Sequence, residues 1–150
     1  MLEQLRTRFE TTGVKPAVIC VSSIAAHMTF GIYSATKVYV SNLMKSLSYT
    51  SSYFADFLAY EPAEVKTKMI TAHTPEDNAL RIQPEEAAEV CFRDLGTARG
   101  TIGHRKHYQV LSMINMFPEW LFQKMMKDGI KKMKEKMKEQ QEKDDNFTAM

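Results

Sequence analysis

The stretch "AVICVSS", Ala17–Ser23, directly after Pro16, constrains the fold more than any other. Its first residues are continuously apolar and mostly β-branched. They show none of the alternation that marks a strand with one wet face. Such a run predicts a strand buried on both faces, the condition of a parallel sheet covered by helices.

The rest of the chain supplies the layers that such a sheet needs. "LEQLRTRF" has Leu2, Leu5 and Phe9 at helical spacing and is stopped by Thr11, Thr12 and Gly13. Tyr33 to about Tyr49 reads as a helix with Val40, Leu43, Met44 and Leu47 on one side. "ADFLAYEP" is a second buried-strand candidate, ended by Pro62. "QPEEAAEVCFRDLG" opens on Pro84 with two glutamates and closes at Gly96, a helix with good start and stop signals. "TIGHRKHYQV" holds a third, shorter strand candidate, and from Pro118 the chain reads as helix. Strands alternating with helices predict an α/β layer built on a parallel sheet.

At 150 residues the chain is one domain by length, long enough to bury a core. With 44% hydrophobic and 25% charged residues it has the composition of a globular protein. A net charge of +2 gives no argument for nucleic acid. Cys20 and Cys91, far apart and each in an apolar or helical context, make neither a disulfide framework nor a metal site, and a reducing compartment follows as the default. No apolar run approaches the ~20 residues that span a bilayer, and the amphipathic, charged N-terminus is not a signal peptide.

Tyr33 and Lys37 are a Tyr-x-x-x-Lys pair in the first turns of the helix that follows the serine strand. Residues four apart on a helix share a face. An ammonium beside a phenol favours the phenolate, which brings a tyrosine closer to the range where a general acid works. Ser23, at the carboxyl end of the first strand, is placed to hold a substrate carbonyl, because ligands of open parallel sheets bind beyond those strand ends. Alone the motif is weak, and a half-buried tyrosine beside a solvated lysine is its plain alternative.

The surroundings add specificity. "AVICVSSIAA…YSATK" resembles the short-chain dehydrogenase/reductase family, in which a strand ending in Ser-Ser precedes the Tyr-x-x-x-Lys helix. "YEPAEVKTKM" resembles that family's Pro-Gly segment and its downstream threonine. "QPEEAAEVCFRDLGTARGTIGHRKHY" looks like the C-terminal region of the very-long-chain 3-oxoacyl-CoA reductase and 17-beta hydroxysteroid dehydrogenase branch. The resemblance implies the C-terminal half of a Rossmann-like doubly wound parallel sheet over residues 1–120, with a basic helical extension and tail over 121–150. It implies Tyr33 as proton donor, Lys37 as its activator and ribose ligand, and Ser23 as holder of the substrate oxygen. Pro62, Val65 and Thr67 would join Lys37 at the cofactor, NADP(H). The implied partners are a small-molecule carbonyl substrate, acyl-CoA or steroid-like, and a second copy of the chain. The implied location is the endoplasmic reticulum membrane surface, with the cytoplasm as the alternative.

The chain also departs from that pattern. No strand leads through a glycine-rich turn into a helix, the device that cradles a cofactor pyrophosphate. The family's Asn-Ala-Gly segment and relay asparagine are missing. Ser23 precedes Tyr33 by ten residues, a shorter connection than is usual, and Ala63 stands where the family has glycine. Two functions therefore compete: a ketone reductase that does not turn over as this isolated chain, and a non-catalytic paralogue acting as a binding or interaction module.

Two further features remain. His104 and His107 flank Arg105 and Lys106, which predicts a solvated or phosphate-facing basic patch and no metal site. From Phe117 to Met126 an aromatic and apolar cluster predicts peripheral membrane or partner contact. Met126, Ile130, Met133 and Met137 continue at helical spacing among lysines, and the last residues, 144–150, are expected to be disordered.

Overall fold

The computed structural model describes residues 1–29, 31–68, 80–121, 123–125, 127–129, 131 and 135. The chain divides into two compact units, Met1–Ser112 and Met113–Met150. In the second unit the described residues from Glu119 onward are helical. Its expected methionine stripe and disordered tail lie outside the described residues, as do Phe122 and Met126 of the aromatic cluster.

The first unit follows the expected alternation. Helix α1 (Leu2–Thr12) leads to strand β1 (Ala17–Val21), a short 3-10 turn (Ile24–His27), helix α2 (Gly31–Thr50) and strand β2 (Asp56–Tyr60). Helix α3 (Pro84–Asp94), strand β3 (Gly100–Thr101) and helix α4 (Arg105–Met116) complete the order. The sheet runs β1-β2-β3 and is parallel throughout. Ala17 pairs with Asp56 and Val21 with Tyr60, while Ala59 and Tyr60 face Gly100 and Thr101.

Helices cover both faces. On one, Met44 of α2 packs with Phe54, Ala55, Phe57 and Ala59, joined by Leu5 and Phe9 of α1 and by Val18 and Cys20 of β1. On the other, Tyr60 packs with Ile82 and with Ala87, Val90 and Cys91 of α3. Side chains alternate faces along a strand, so β2 reads as apolar from Phe57 to Tyr60 because each face meets a helix. Helix α3 starts with Pro84 behind a capping box between Gln83 and Glu86. Gly103 has φ +78°, and a Cβ there would collide with Val90. Only glycine lets the chain turn this tightly against α3.

Three expectations are corrected. Strand β1 is not buried on both faces along its length, since Ala17 and Val21 are exposed. It is an edge strand, and among the described residues only β2 pairs with it. Second, the third strand is only two residues long, and most of "HRKHYQV" belongs to α4. Third, the apolar side of α2 does not stay together. Met44 is buried and Val40 and Leu47 are partly so, but Leu43 faces out. Ser34, Ser41 and Ser48, one every seven residues, are also buried on this helix. Such small side chains let a helix lie close to a sheet, and an apolar pattern search passes over them.

Candidate active site

The carboxyl ends of β1 and β2 form the floor of the candidate site. The parallel ladder continues past the strands: Ser22 N–H donates to Tyr60 O (2.7 Å) and Ile24 N–H to Pro62 O (2.8 Å). Pro62 is buried, and the turn carrying Ser23 is thereby fixed beside it.

The two serines take different roles. Ser22 is buried, donates to Lys37 O (2.8 Å) and accepts from Ser41 Oγ (2.8 Å), which ties the strand end to α2. Ser23 is extended, and its Oγ caps the 3-10 turn by accepting from Ala25 N–H (3.2 Å). The cap uses a lone pair and leaves the hydroxyl hydrogen to donate elsewhere. Tyr33 lies in the first turn of α2, with about half its surface (51%) exposed. Lys37 Nζ sits 5.6 Å from the Tyr33 ring centroid and donates to Val21 O, 3.2 Å away. The fold thus joins Tyr33, Lys37 and the end of β1. It does not join Ser23 to Tyr33 by a hydrogen bond, and Lys37 approaches the ring of Tyr33 without a hydrogen bond to its phenolic oxygen.

The segment after Pro62 is pinned from several sides. Ala63 N–H donates to His107 Nδ1 (3.2 Å), and His107 Nε2–H donates to Glu64 O (3.1 Å). Val65 bridges Ile82, and Arg81 reaches the Glu64 carboxylate from Nε and Nη2 (3.2 and 3.1 Å). Thr67 is exposed further along this segment. His107 is completely buried, and burial pushes its imidazole below the usual value. It is a neutral clamp inside the protein, which corrects the reading of it as part of a solvated basic patch.

Sequence reasoning missed a buried charge cluster here. Glu61 ends the β2 run with its side chain only 4% exposed. It accepts from Lys45 Nζ (2.6 Å) and His27 Nε2 (2.8 Å). Burial alone would raise the Glu61 carboxyl, but donors Lys45, His27 and Ser41 outweigh it and hold it below its ordinary value. One carboxylate thereby links β2, α2 and the turn after Ser23. The available signal was a glutamate ending an otherwise apolar strand. Tyr60 offers no second acid: its buried hydroxyl has no partner among the described residues, and burial pushes it up to about 12.

The described residues fit only part of a dinucleotide. Lys37 reaches the end of β1 and Pro62 follows the end of β2, while Val65 lies further along and bridges Ile82. β1, however, leads into a glycine-free turn, and no glycine-rich strand–turn–helix stands among the described residues to cradle a pyrophosphate. No helix among them is long and apolar enough to cross a membrane, and none of their His, Cys, Asp and Glu side chains cluster as a metal site.

Comparison with known proteins gives the fold. No protein-family model matches the chain, and no curated protein matches it. Among solved structures, one from work on 7beta-hydroxysteroid dehydrogenase stereoselectivity is similar, with TM-score 0.66 and 18% identity over 80% of this chain. The chain spans about half of that protein, 49% of its length. A mutant of DEH reductase A1-R' is similar over 59% of this chain and 37% of its own, with 24% identity and TM-score 0.45. The first likeness and the three parallel strands with flanking helices identify an α/β fold that matches part of a Rossmann-like sheet.

Proposed function

We propose that this chain carries the proton-donating half of a ketone reductase of the short-chain dehydrogenase/reductase lineage. The observation that carries the reading is Lys37, one turn beyond Tyr33, anchored to Val21 O at the end of β1 and facing the Tyr33 ring. In that role Tyr33 gives its phenolic proton to a substrate carbonyl oxygen. Ser23 donates its free hydroxyl hydrogen to the same oxygen, and Lys37 stabilises the phenolate left behind. The substrate class is a long-chain 3-oxoacyl-CoA or a steroid-like ketone, and NADP(H) is the hydride source that the resemblance implies. The exposed Phe117 and Trp120 support peripheral contact with a membrane surface. That no pyrophosphate cradle stands among the described residues favours the second reading for the chain on its own: a non-catalytic binding module.

NADPH titration and a reductase assay with both ketone classes separate the two. The isolated chain is expected to give no saturable NADPH binding and no turnover, and a low-micromolar dissociation constant would overturn that expectation. Where turnover is found, Tyr33→Phe abolishes it if the assignment is right. Full activity in that variant would exclude Tyr33 as the acid.

A further inference from the structure

A recess of about 640 Å³ opens at the opposite end of the sheet from Ser23 and Pro62. It lies between the last turns of α2, the first residues of β2 and the loop from α3 into β3. Pockets of roughly 300–1,000 Å³ hold small molecules. Of its apolar lining, Ala55 and Phe57 are buried beneath the surface, so the accessible wall is mainly polar, with the exposed Tyr49 ring as its chief apolar face.

Its charges are unevenly committed. Lys15 Nζ lies 2.6 Å from Asp56, and Lys45 Nζ lies 2.6 Å from Glu61. Lys45 reaches that far because its stem crosses Gly100, where a Cβ would collide with it. Arg99 has no carboxylate partner among the described residues. Its guanidinium carbon sits 3.9 Å from the Tyr49 ring centroid. A ring face holds a guanidinium in place while leaving N–H donors for a ligand, and this arrangement suits carboxylate or phosphate oxygens. The hydroxyls are complementary. Ser48 Oγ donates to Lys45 O (2.7 Å) and Thr97 Oγ1 to Asp94 O (3.0 Å). Each hydroxyl has a single hydrogen, so these oxygens offer only lone pairs to the recess. The Asp56 carboxylate adds further acceptors.

A cationic donor at one side and acceptors at the other fit a molecule with an anionic group and several hydroxyls. We propose that this recess binds an anionic polyol, with Arg99 on its phosphate or carboxylate and Ser48, Thr97 and Asp56 accepting from its hydroxyls. The site is independent of the carbonyl chemistry at the other end of the sheet.

The test is a nitrogen-15 NMR titration of the full chain with glucose 6-phosphate, gluconate, glucose and inorganic phosphate. Glucose 6-phosphate or gluconate is expected to give saturable millimolar shifts at Arg99 Nε and at the amides of 97–100, and the stronger of the two tells phosphate from carboxylate. Arg99→Gln should weaken that binding about tenfold or more, the loss of a charge-assisted contact. Thr97→Val should weaken it less and leave inorganic phosphate unaffected. Both side chains are exposed, so the variants keep the fold, which unchanged amide shifts elsewhere will verify. Absence of saturation with both anionic polyols overturns the proposal. So does equal binding of inorganic phosphate alone, or binding that Arg99→Gln leaves intact.

Discussion

Strands β1 and β2 are both apolar, parallel and paired residue for residue from Ala17–Asp56 to Val21–Tyr60. Their surroundings differ completely. Phe57, Leu58, Ala59 and Tyr60 are each no more than 3% exposed, whereas Val21 is 61% exposed. β2 has a strand on each side and a helix layer over each face. β1 has β2 on one side and, among the described residues, no strand on the other. The apolar composition of a strand therefore reports the burial it suits, and its place in the sheet order decides the burial it has. A long apolar edge is a template for pairing with another chain.

Core truncations give the largest test of that contrast. Leu58→Ala removes a fully buried side chain and is expected to cost about 2–5 kcal/mol. Ile19→Ala, on the partly buried β1, should cost clearly less. Denaturant midpoints of the two variants decide it. Equal losses would mean that β1 is covered in solution, by a second copy or another partner.

The buried carboxylate at the end of β2 comes next. Glu61→Gln removes the carboxylate that accepts from Lys45 and His27 and should cost about 1–3 kcal/mol, moderated because both donors retain access to water. The pH dependence follows from two shifts. Glu61 is held below its ordinary 4.5, so its contribution is complete above that value and is lost as pH falls through the depressed folded value. His107 is held below 6.5 by burial, so from 6.5 downward the unfolded chain takes up a proton that the folded chain resists. Stability should therefore decline first with His107 and then with Glu61 as pH falls. A His107→Gln variant that kept the whole slope below 6.5 would show that the clamp does not titrate this way.

The order of helices and strands was legible because continuous apolar runs, Pro84 and the glycines are local signals. The exposure of Ala17 and Val21 on β1 was not, because it depends on what covers the strand and no local pattern reports that. Of the site, the Tyr33–Lys37 pair was legible from helical spacing, and Ser23 from its position at a strand end. The cluster of Glu61, Lys45 and His27 was not. Its members are far apart in sequence and become partners only when α2 folds back over β2. His107 was misread for a related reason, since its neighbours Arg105 and Lys106 suggest solvent while α4 turns the imidazole inward onto Ala63 and Glu64.

A smaller effect tests the quality of burial at β2. Tyr60 places a hydroxyl without a partner among the described residues in the α3-side core. An unsatisfied buried polar group carries its desolvation cost without return. Tyr60→Phe removes that oxygen and keeps the ring, so it should be neutral or stabilising by about 1 kcal/mol. A loss of stability of that size would reveal a hydrogen-bond partner, such as an ordered water, for the Tyr60 hydroxyl.

The smallest effect on stability, but the sharpest on β1, is expected from Leu43→Glu. Among the apolar surfaces that the described residues leave in water are the outer edge of β1 with Val21 and the outer face of α2, where Ile32, Tyr39 and Leu43 fall at helical spacing and are exposed by 85%, 66% and 42%. Burying either is worth ~25 cal/mol for each Å² removed from water, so the chain is expected to self-associate. The α2 face would close on its own copy and stop at a dimer. The β1 edge would pair heterogeneously, since an added edge strand can leave another free. Leu43 packs against no core cluster, so a glutamate there should barely change the unfolding midpoint while charging the centre of the helical face. Light scattering over a dilution series then tells the modes apart. A dimer that Leu43→Glu dissolves places the contact on α2 and leaves β1 exposed in solution. Heterogeneous oligomers that survive the substitution place it at β1, in which case Ile19→Ala should become more costly as protein concentration rises. A monodisperse monomer throughout would show that both apolar surfaces tolerate water, and the contrast between β1 and β2 would then be a property of the free chain itself.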